Sequence, residues 1–431
     1  MASATQLPTL DTVRSLNAPE LLALARKLRK NASSLPAPRG ELRIALTGGG
    51  NLSYLGIALE PYFRSAGFDL RLYVSPYDAY RMECSDPNSP LVQFNPDVII
   101  ILNHWREFIV DQPPLTDSGE SVDRTLESIV RERLTQAETL RQRTGATIYI
   151  TEIVTPNRRA DGYFSLNRPG GLLAFLREIN RRTRCTGENF RFIDLDETAA
   201  EIGKNAFFDD SAYFLSKQPF ALAVLPTVAN AVSAPILNDR GVVRKCLVLD
   251  LDHTLWGGVV GDDGLHGIRL DPNDAVGEAY LDFQRTVLAY QRRGVLLAVC
   301  SKNDEKIAKE VFQKNAYCLL KLKHFASFYA NWEPKSENLK RIAAELNIST
   351  DALVFFDDNP VERDAVRNAL PEVTVVNVPD DPALYSAALD QARLFDWTNL
   401  TAEDLARSES LRANRERAEL ESEANDYLSY L

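Results

Sequence analysis

Short, nearly unbroken apolar runs, each followed by a helix-length amphipathic stretch, recur along this chain and constrain its fold more than any other feature. Runs such as "PDVIIILN" and "VLLAVCS" have too few polar positions for either face to meet water, the habit of parallel strands covered by helices on both sides. One series reads "ELRIALTG", "DLRLYVS", "PDVIIILN", "ATIYITEI" and "FRFIDLD"; a second reads "VRKCLVLD", "VLLAVCS" and "ALVFFDD". Between them lie helical patterns, among them a long charged one over roughly residues 118–143, "GEAYLDFQRTVLAYQRRG" and "KSENLKRIAAELN". The order predicts an α/β protein of two doubly wound parallel sheets. The divisions expected are a helical lead-in over 1–40, a first α/β domain over 41–238, a second over 239–395 and a charged helical segment over 396–431.

Length and composition narrow the function. A chain of 431 residues, 45% hydrophobic and 25% charged, has room for two or three cores and the balance of an ordinary globular protein. A net charge of −11 argues against a general nucleic-acid binder, which would show a basic surface; "NRRTRC" (180–185) is the densest basic cluster. The first residues show neither a basic nor an apolar leader region, and no apolar run is long enough to span a bilayer. The five cysteines are scattered, with no disulfide framework or zinc spacing. A cytoplasmic protein without membrane or nucleic-acid partners is the expectation.

Three strands of the second series end in polar residues: Asp250 and Asp252 in "CLVLDLDHTLWGG", Ser301 and Lys302 in "VCSKND", Asp357 and Asp358 in "FFDDNP". Ligands of open parallel sheets bind at the carboxyl ends of strands, so these side chains converge on one crevice. Carboxylates brought together repel unless a cation compensates them, and a hard divalent ion such as Mg²⁺ suits oxygen ligands. Lys335, opening a helix after "NWEP", reaches the same place. A metal, a lysine and a hydroxyl form a clamp for a transferring phosphoryl group. A lone Asp-x-Asp is more often a surface turn; four elements at strand and helix ends are not.

These motifs, "DLDHT" (250–254), "CSKND" (300–304), Lys335 and "FFDDNPVER" (355–363), resemble those of the haloacid-dehalogenase-like (HAD) superfamily. The resemblance implies Asp250 as a nucleophile forming an aspartyl-phosphate, or chiefly as a metal ligand while Cys300 attacks an acyl phosphate, and Asp252 as general acid/base that also holds metal through its carbonyl. Thr254, Ser301, Lys302 and Lys335 would bind substrate, and Asp358 with Asp357 would complete the metal site. "WGGVVGDDGLHGIRL" is long enough only for a flap, so the domain is expected to be capless. Together with "LAVCSKND" and "NWEPKSENL", the stretch is similar to the FkbH-like family of polyketide assembly (HAD subfamily IIIC). Members take D-1,3-bisphosphoglycerate, pass the glyceryl group through an enzyme thioester and load it onto the phosphopantetheine thiol of an acyl carrier protein. The matching nucleophile is Cys300, expected at the mouth of the crevice with Lys302 and metal favouring its thiolate.

That family also implies an SGNH-hydrolase-like first domain. Its serine would fall near Gly49 to Asn51, where none stands, and its Asp-x-x-His pair near "FFDDSAYF", where Tyr213 follows Asp210. A working Ser-His-Asp triad is therefore not expected; the domain reads as a degenerate hydrolase serving as lid, substrate wall or carrier-protein dock. Asn103 echoes that fold's asparagine block, and Arg181, Arg182 and Arg184 are candidates for docking an acidic carrier protein. Two other readings stay open: a plain HAD phosphomonoesterase, and a non-catalytic carrier-protein scaffold.

Overall fold

The computed structural model describes residues 7–158, 160–242 and 244–397; most of the charged segment expected over 396–431 lies outside them. The chain divides into two compact units after Leu237. In the first, β1 (Gly40–Gly48), β2 (Phe68–Val74), β3 (Val98–Leu102), β4 (Thr147–Thr151) and β5 (Arg191–Ile193) form a wholly parallel sheet of order β2-β1-β3-β4-β5. In the second, β6 (Cys246–Leu249), β7 (Leu296–Ser301), β8 (Phe325–Ala330), β9 (Leu353–Phe356) and β10 (Thr374–Val375) form another, of order β10-β9-β6-β7-β8. Both are the doubly wound α/β arrangement that the alternating pattern implies. Strands β8 and β10 fall where that pattern assigned none, since β8 mixes partly exposed positions into its run and β10 is two residues long.

The period of two along each strand explains why the runs are apolar throughout. Leu247, Leu249, Leu297, Val299, Val354 and Phe356 enter one core. Their neighbours Cys246, Val248, Ala298, Cys300, Leu353 and Phe355 enter the core on the opposite face. Each fully buried leucine, valine or phenylalanine among them contributes about 1.5–3 kcal/mol relative to exposure. A polar residue is tolerated where a strand emerges, and there the sheet becomes chemical.

The helices begin where capping chemistry tells them to. Asp304 accepts from Lys306 N and Ile307 N to start Glu305–Lys314, and Asn359 accepts from Val361 N to start Pro360–Ala369, with proline at its first position. In the lead-in, helix Ala18–Lys30 opens with a capping box from Asn17 and Glu20 and buries Leu21, Leu22, Ala25 and Leu28. Its Arg29 bonds Glu60 of helix Ser53–Ser65 at 3.0 Å. This segment is thus part of the first unit's packing rather than a loose lead.

The stretch after β6 is short, as a flap requires. Gly257 and Arg269 exchange backbone hydrogen bonds of 3.1 and 2.8 Å, closing a loop that contains helix Val260–Gly267. Leu255, Trp256, Val260, Ile268 and Leu270 anchor it in the core. Among the described residues no larger insertion follows β6, in keeping with a capless unit.

Candidate active site and metal centre

The chain leaves β6 at Asp250 and β9 at Asp357, adjacent strands in register from Leu249 opposite Phe356. Lys335, first residue of helix Lys335–Glu345, stands between the two carboxylates: its Nζ donates to Asp250 Oδ1 at 2.8 Å and to Asp357 Oδ2 at 2.5 Å. All three are buried. Oxygens of Asp250, Asp357 and Asp358 lie within 4.8 Å of one another. Thr254 Oγ1 donates to Asp358 Oδ1 at 3.1 Å, and the Arg363 guanidinium holds the carbonyls of Asp357 and Asp358 at 2.7 and 2.6 Å.

The electrostatics follow from burial and like charge. Burial, then the Asp250 charge, pushes Asp357 up to about 7. The same causes raise Asp358. Burial alone would lower Lys335, but the carboxylates of Asp250 and Asp357 outweigh it and raise the ammonium above its ordinary value. Three carboxylates against one ammonium leave an excess of negative charge among oxygen donors. That donor set fits a hard divalent cation.

Asp252 faces differently. Its Oδ1 accepts from Trp256 Nε1 at 2.8 Å and Val260 N at 3.0 Å, and its Oδ2 from Asn303 Nδ2 at 2.8 Å. Burial raises its pKa despite these bonds. Its carboxylate is engaged by the flap and by Asn303. Between Asp252 and Thr254, His253 adopts φ 56°, a left-handed conformation that costs a non-glycine residue about 1 kcal/mol. Tyr280 and Tyr385 hold it there by donating to its carbonyl at 3.2 and 3.1 Å.

Of the residues singled out in the sequence, Asp250, Lys335, Asp357 and Asp358 come together directly, and buried Ser301 ends the neighbouring β7. Three placements need correction. Thr254, expected on substrate, is fully buried and turns its hydroxyl to Asp358, where it orients a ligand carboxylate. Lys302, expected on substrate and beside Cys300, pairs with Glu362 at 2.6 Å. Cys300, expected at the mouth, is buried beneath the site instead, close enough for the Lys335, Asp250 and Asp357 charges to act on it. It lies wholly in the core under helix Lys335–Glu345, with Sγ 3.7 Å from the Lys335 carbonyl, and burial raises its thiol pKa. Alternation along β7 is the reason: Ser301 and Cys300 cannot share a face. Asn303, Trp256 and Arg363 were not foreseen. Asn303 lay inside the quoted "CSKND" motif, but nothing in its spacing showed that it would reach Asp252.

The first unit offers no hydrolytic triad at the place its layout would require. At Gly49 an added Cβ would lie 1.6 Å from Glu107 Oε1, so a glutamate carboxylate presses where a serine would stand. Asp210 bonds Arg106 and Arg158, each at 2.5 Å, and Tyr213 stacks on His104 at 4.4 Å between ring centroids. Burial, and then Arg106, lower His104 to about 3. Arg181 and Arg182 pair with Glu178, Arg182 also with Asp123, and Arg184 with Glu152. The three docking candidates are thus ion-paired, with Arg181 and Arg184 on side chains about half in solvent.

Comparison with known proteins agrees with this geometry. The FkbH N-terminal domain family matches residues 43–236. A crystal structure of the N-terminal part of a Bacteroides fragilis protein, described as containing a phosphatase domain complexed with Mg, shares 30% identity. The match covers 91% of this chain and 100% of that one, with a TM-score of 0.78. An acetyl xylan esterase matches 45% of this chain and 98% of its own at 13% identity, with a TM-score of only 0.28. A search of curated proteins gives no significant match. The FkbH N-terminal domain match, together with the match over 91% of the chain at 30% identity, places the chain in the FkbH-like family.

Proposed function

We propose that this protein is a Mg²⁺-dependent enzyme whose second unit removes phosphate from a small phosphorylated donor and passes the organic group to a carrier protein. The observation that carries the reading is Lys335 held between Asp250 and Asp357, with Asp358 close enough to share a cation. Asp250, Asp357, Asp358 and the Asp252 carbonyl would hold Mg²⁺, which when bound offsets charge on the phosphoryl oxygens. Asp250 attacks phosphorus through a carboxylate oxygen as the bond to the leaving oxygen breaks; Asp252 supplies the leaving group's proton and later takes one from the attacking water. Lys335 keeps Asp250 ionised and aimed, and Ser301 lines the phosphoryl oxygens.

The finer reading is glyceryl transfer. The donor is D-1,3-bisphosphoglycerate, the acceptor the phosphopantetheine thiol of an acyl carrier protein, and Cys300 the intermediate acyl carrier. Attack by a thiolate on C1 breaks the acyl bond to the C1 phosphate, which leaves; Asp250 takes the C3 phosphate, which water then releases; and the resulting glyceryl thioester exchanges onto the carrier thiol. The burial of Cys300 favours a second reading, a phosphomonoesterase without acyl transfer; the thioester route needs the start of helix Lys335–Glu345 to move. The first unit is proposed as a degenerate SGNH-like domain that serves as lid, substrate wall or dock. The test is intact-mass analysis of the enzyme and a holo carrier protein after incubation with D-1,3-bisphosphoglycerate and Mg²⁺. A glyceryl increment on the carrier that Cys300→Ala abolishes supports transfer; phosphate release with no increment on either protein leaves the phosphatase.

A further inference from the structure

The first sheet reverses its order between β1 and β3, and above their carboxyl ends lies a cavity of about 240 Å³. Such a switch point is where open α/β sheets bind ligands. Its size falls below the ~300 Å³ at which sites for drug-sized molecules begin, so a compact occupant is implied. Arg133 of helix Gly119–Thr144 lines it and is 7% exposed.

Its surroundings are unusual for a buried cation. Nη1 donates to Thr183 Oγ1 at 3.1 Å and Nη2 reaches Asn103 Oδ1 at a long 3.4 Å, both neutral partners, while Nε meets no acceptor. The nearby carboxylates are bonded elsewhere: Glu107 to Asn103 Nδ2 and His104 N, and Glu152 to Arg184. Burial lowers Arg133 to about 10 in spite of them. A guanidinium kept in the interior without a bonded counter-charge is expensive, which argues for an anion that the folded protein is built to receive.

The remaining charges choose the anion. Arg81 pairs with Glu132 at 3.3 Å and Arg106 with Asp210 at 2.5 Å, and Asp78 and Asp111 also face the cavity. Glu107 lines the cavity as well, so three arginines face four carboxylates (Asp78, Glu107, Asp111 and Glu132); burial favours the neutral form of Glu107, and the lining is then close to neutral, which disfavours a dianion. We propose that this cavity binds a small monocarboxylate, with Arg133 pairing to its carboxylate and Asn103 and the Tyr80 and Tyr213 walls around its body. The cavity is lined by residues of the first unit alone, and the proposal does not depend on the reading given above for the second.

The test is calorimetric titration of the full-length protein with sodium D-glycerate in EDTA, so that no metal serves the second unit, with inorganic phosphate at matched ionic strength. The expectation is saturable glycerate binding with Kd of about 1 mM or tighter, weakened about tenfold or more in Arg133→Met and unchanged in Asp250→Asn. Arg133→Met without ligand should melt no lower than wild type, because an unbalanced buried charge is gone. Arg81→Glu, on a side chain largely in solvent, folds in any case and should weaken binding about twofold to threefold at low salt. The proposal is overturned if glycerate gives no saturable heat up to about 20 mM. Phosphate binding in its place, or glycerate binding indifferent to both arginine variants, would overturn it equally.

Discussion

In the first sheet the chain leaves β1 through Gly48 and Gly49 and β3 through Asn103; in the second it leaves β6 through Asp250 and β9 through Asp357 and Asp358. The scaffolds match in strand number and in parallel sense. The residues at their emerging ends do not. The first collects a buried guanidinium over a glycine floor, the second a knot of carboxylates around one ammonium. What each unit can do is therefore decided by a few strand-end residues rather than by the sheet that holds them.

The sharpest way to break this comparison is to remove a charge from each edge. Asp250→Asn should reduce phosphate release by ~10⁴-fold or more, while the isosteric Glu107→Gln in the first unit should leave it within about twofold. Equal losses in a steady-state phosphate assay would mean that the first unit shares the chemistry.

Lys335→Met comes next. It leaves Asp250 and Asp357 buried against each other without their cation, at a cost of about 3–5 kcal/mol. Thermal melting should show the loss, and millimolar Mg²⁺ should restore part of it. An unchanged melting temperature would deny the charge balance assigned to the site.

The third effect is on pH. Asp357 is raised by burial and by Asp250 to about 7, so without metal its contribution to stability is complete below the ordinary Asp range and is lost as pH rises through about 7. Mg²⁺ needs the ionised carboxylate, so the sign reverses for binding: Mg²⁺ affinity should fall as pH drops below about 7, with proton release on binding. Titrations between pH 5.5 and 8 that show constant affinity would contradict this. The smallest change expected is in Thr254→Val, which removes the hydrogen bond to the Asp358 carboxylate and the longer one accepted from Asp358 N and should weaken Mg²⁺ binding roughly fivefold, about 1 kcal/mol.

Much of this was readable before any coordinates. Apolar runs ending in Asp250, Ser301 and Asp357 require buried parallel strands with polar exits, and all five strands of the first sheet were legible in the same way. What escaped had local causes. Strand β8 mixes partly exposed positions into its pattern, so hydropathy did not reveal it. Adjacency in sequence suggested that Cys300 and Ser301 share the crevice, whereas the alternation of Leu297 and Val299 with Ala298 and Cys300 already separates them. Asn303 meets Asp252 only because β7 lies beside β6, a pairing that spacing does not encode. Lys302 found Glu362 from a helix sixty residues on.

The central claim is that the second unit's strand ends, and not the first's, hold the catalytic cation. The most direct measurement is anomalous diffraction from crystals of the full-length protein grown with Mn²⁺ in place of Mg²⁺. The account predicts one strong peak among the carboxylates of Asp250, Asp357 and Asp358, lost in Asp250→Ala, and none beside Glu107. A peak elsewhere, or a site bare of metal at millimolar Mn²⁺, would contradict it.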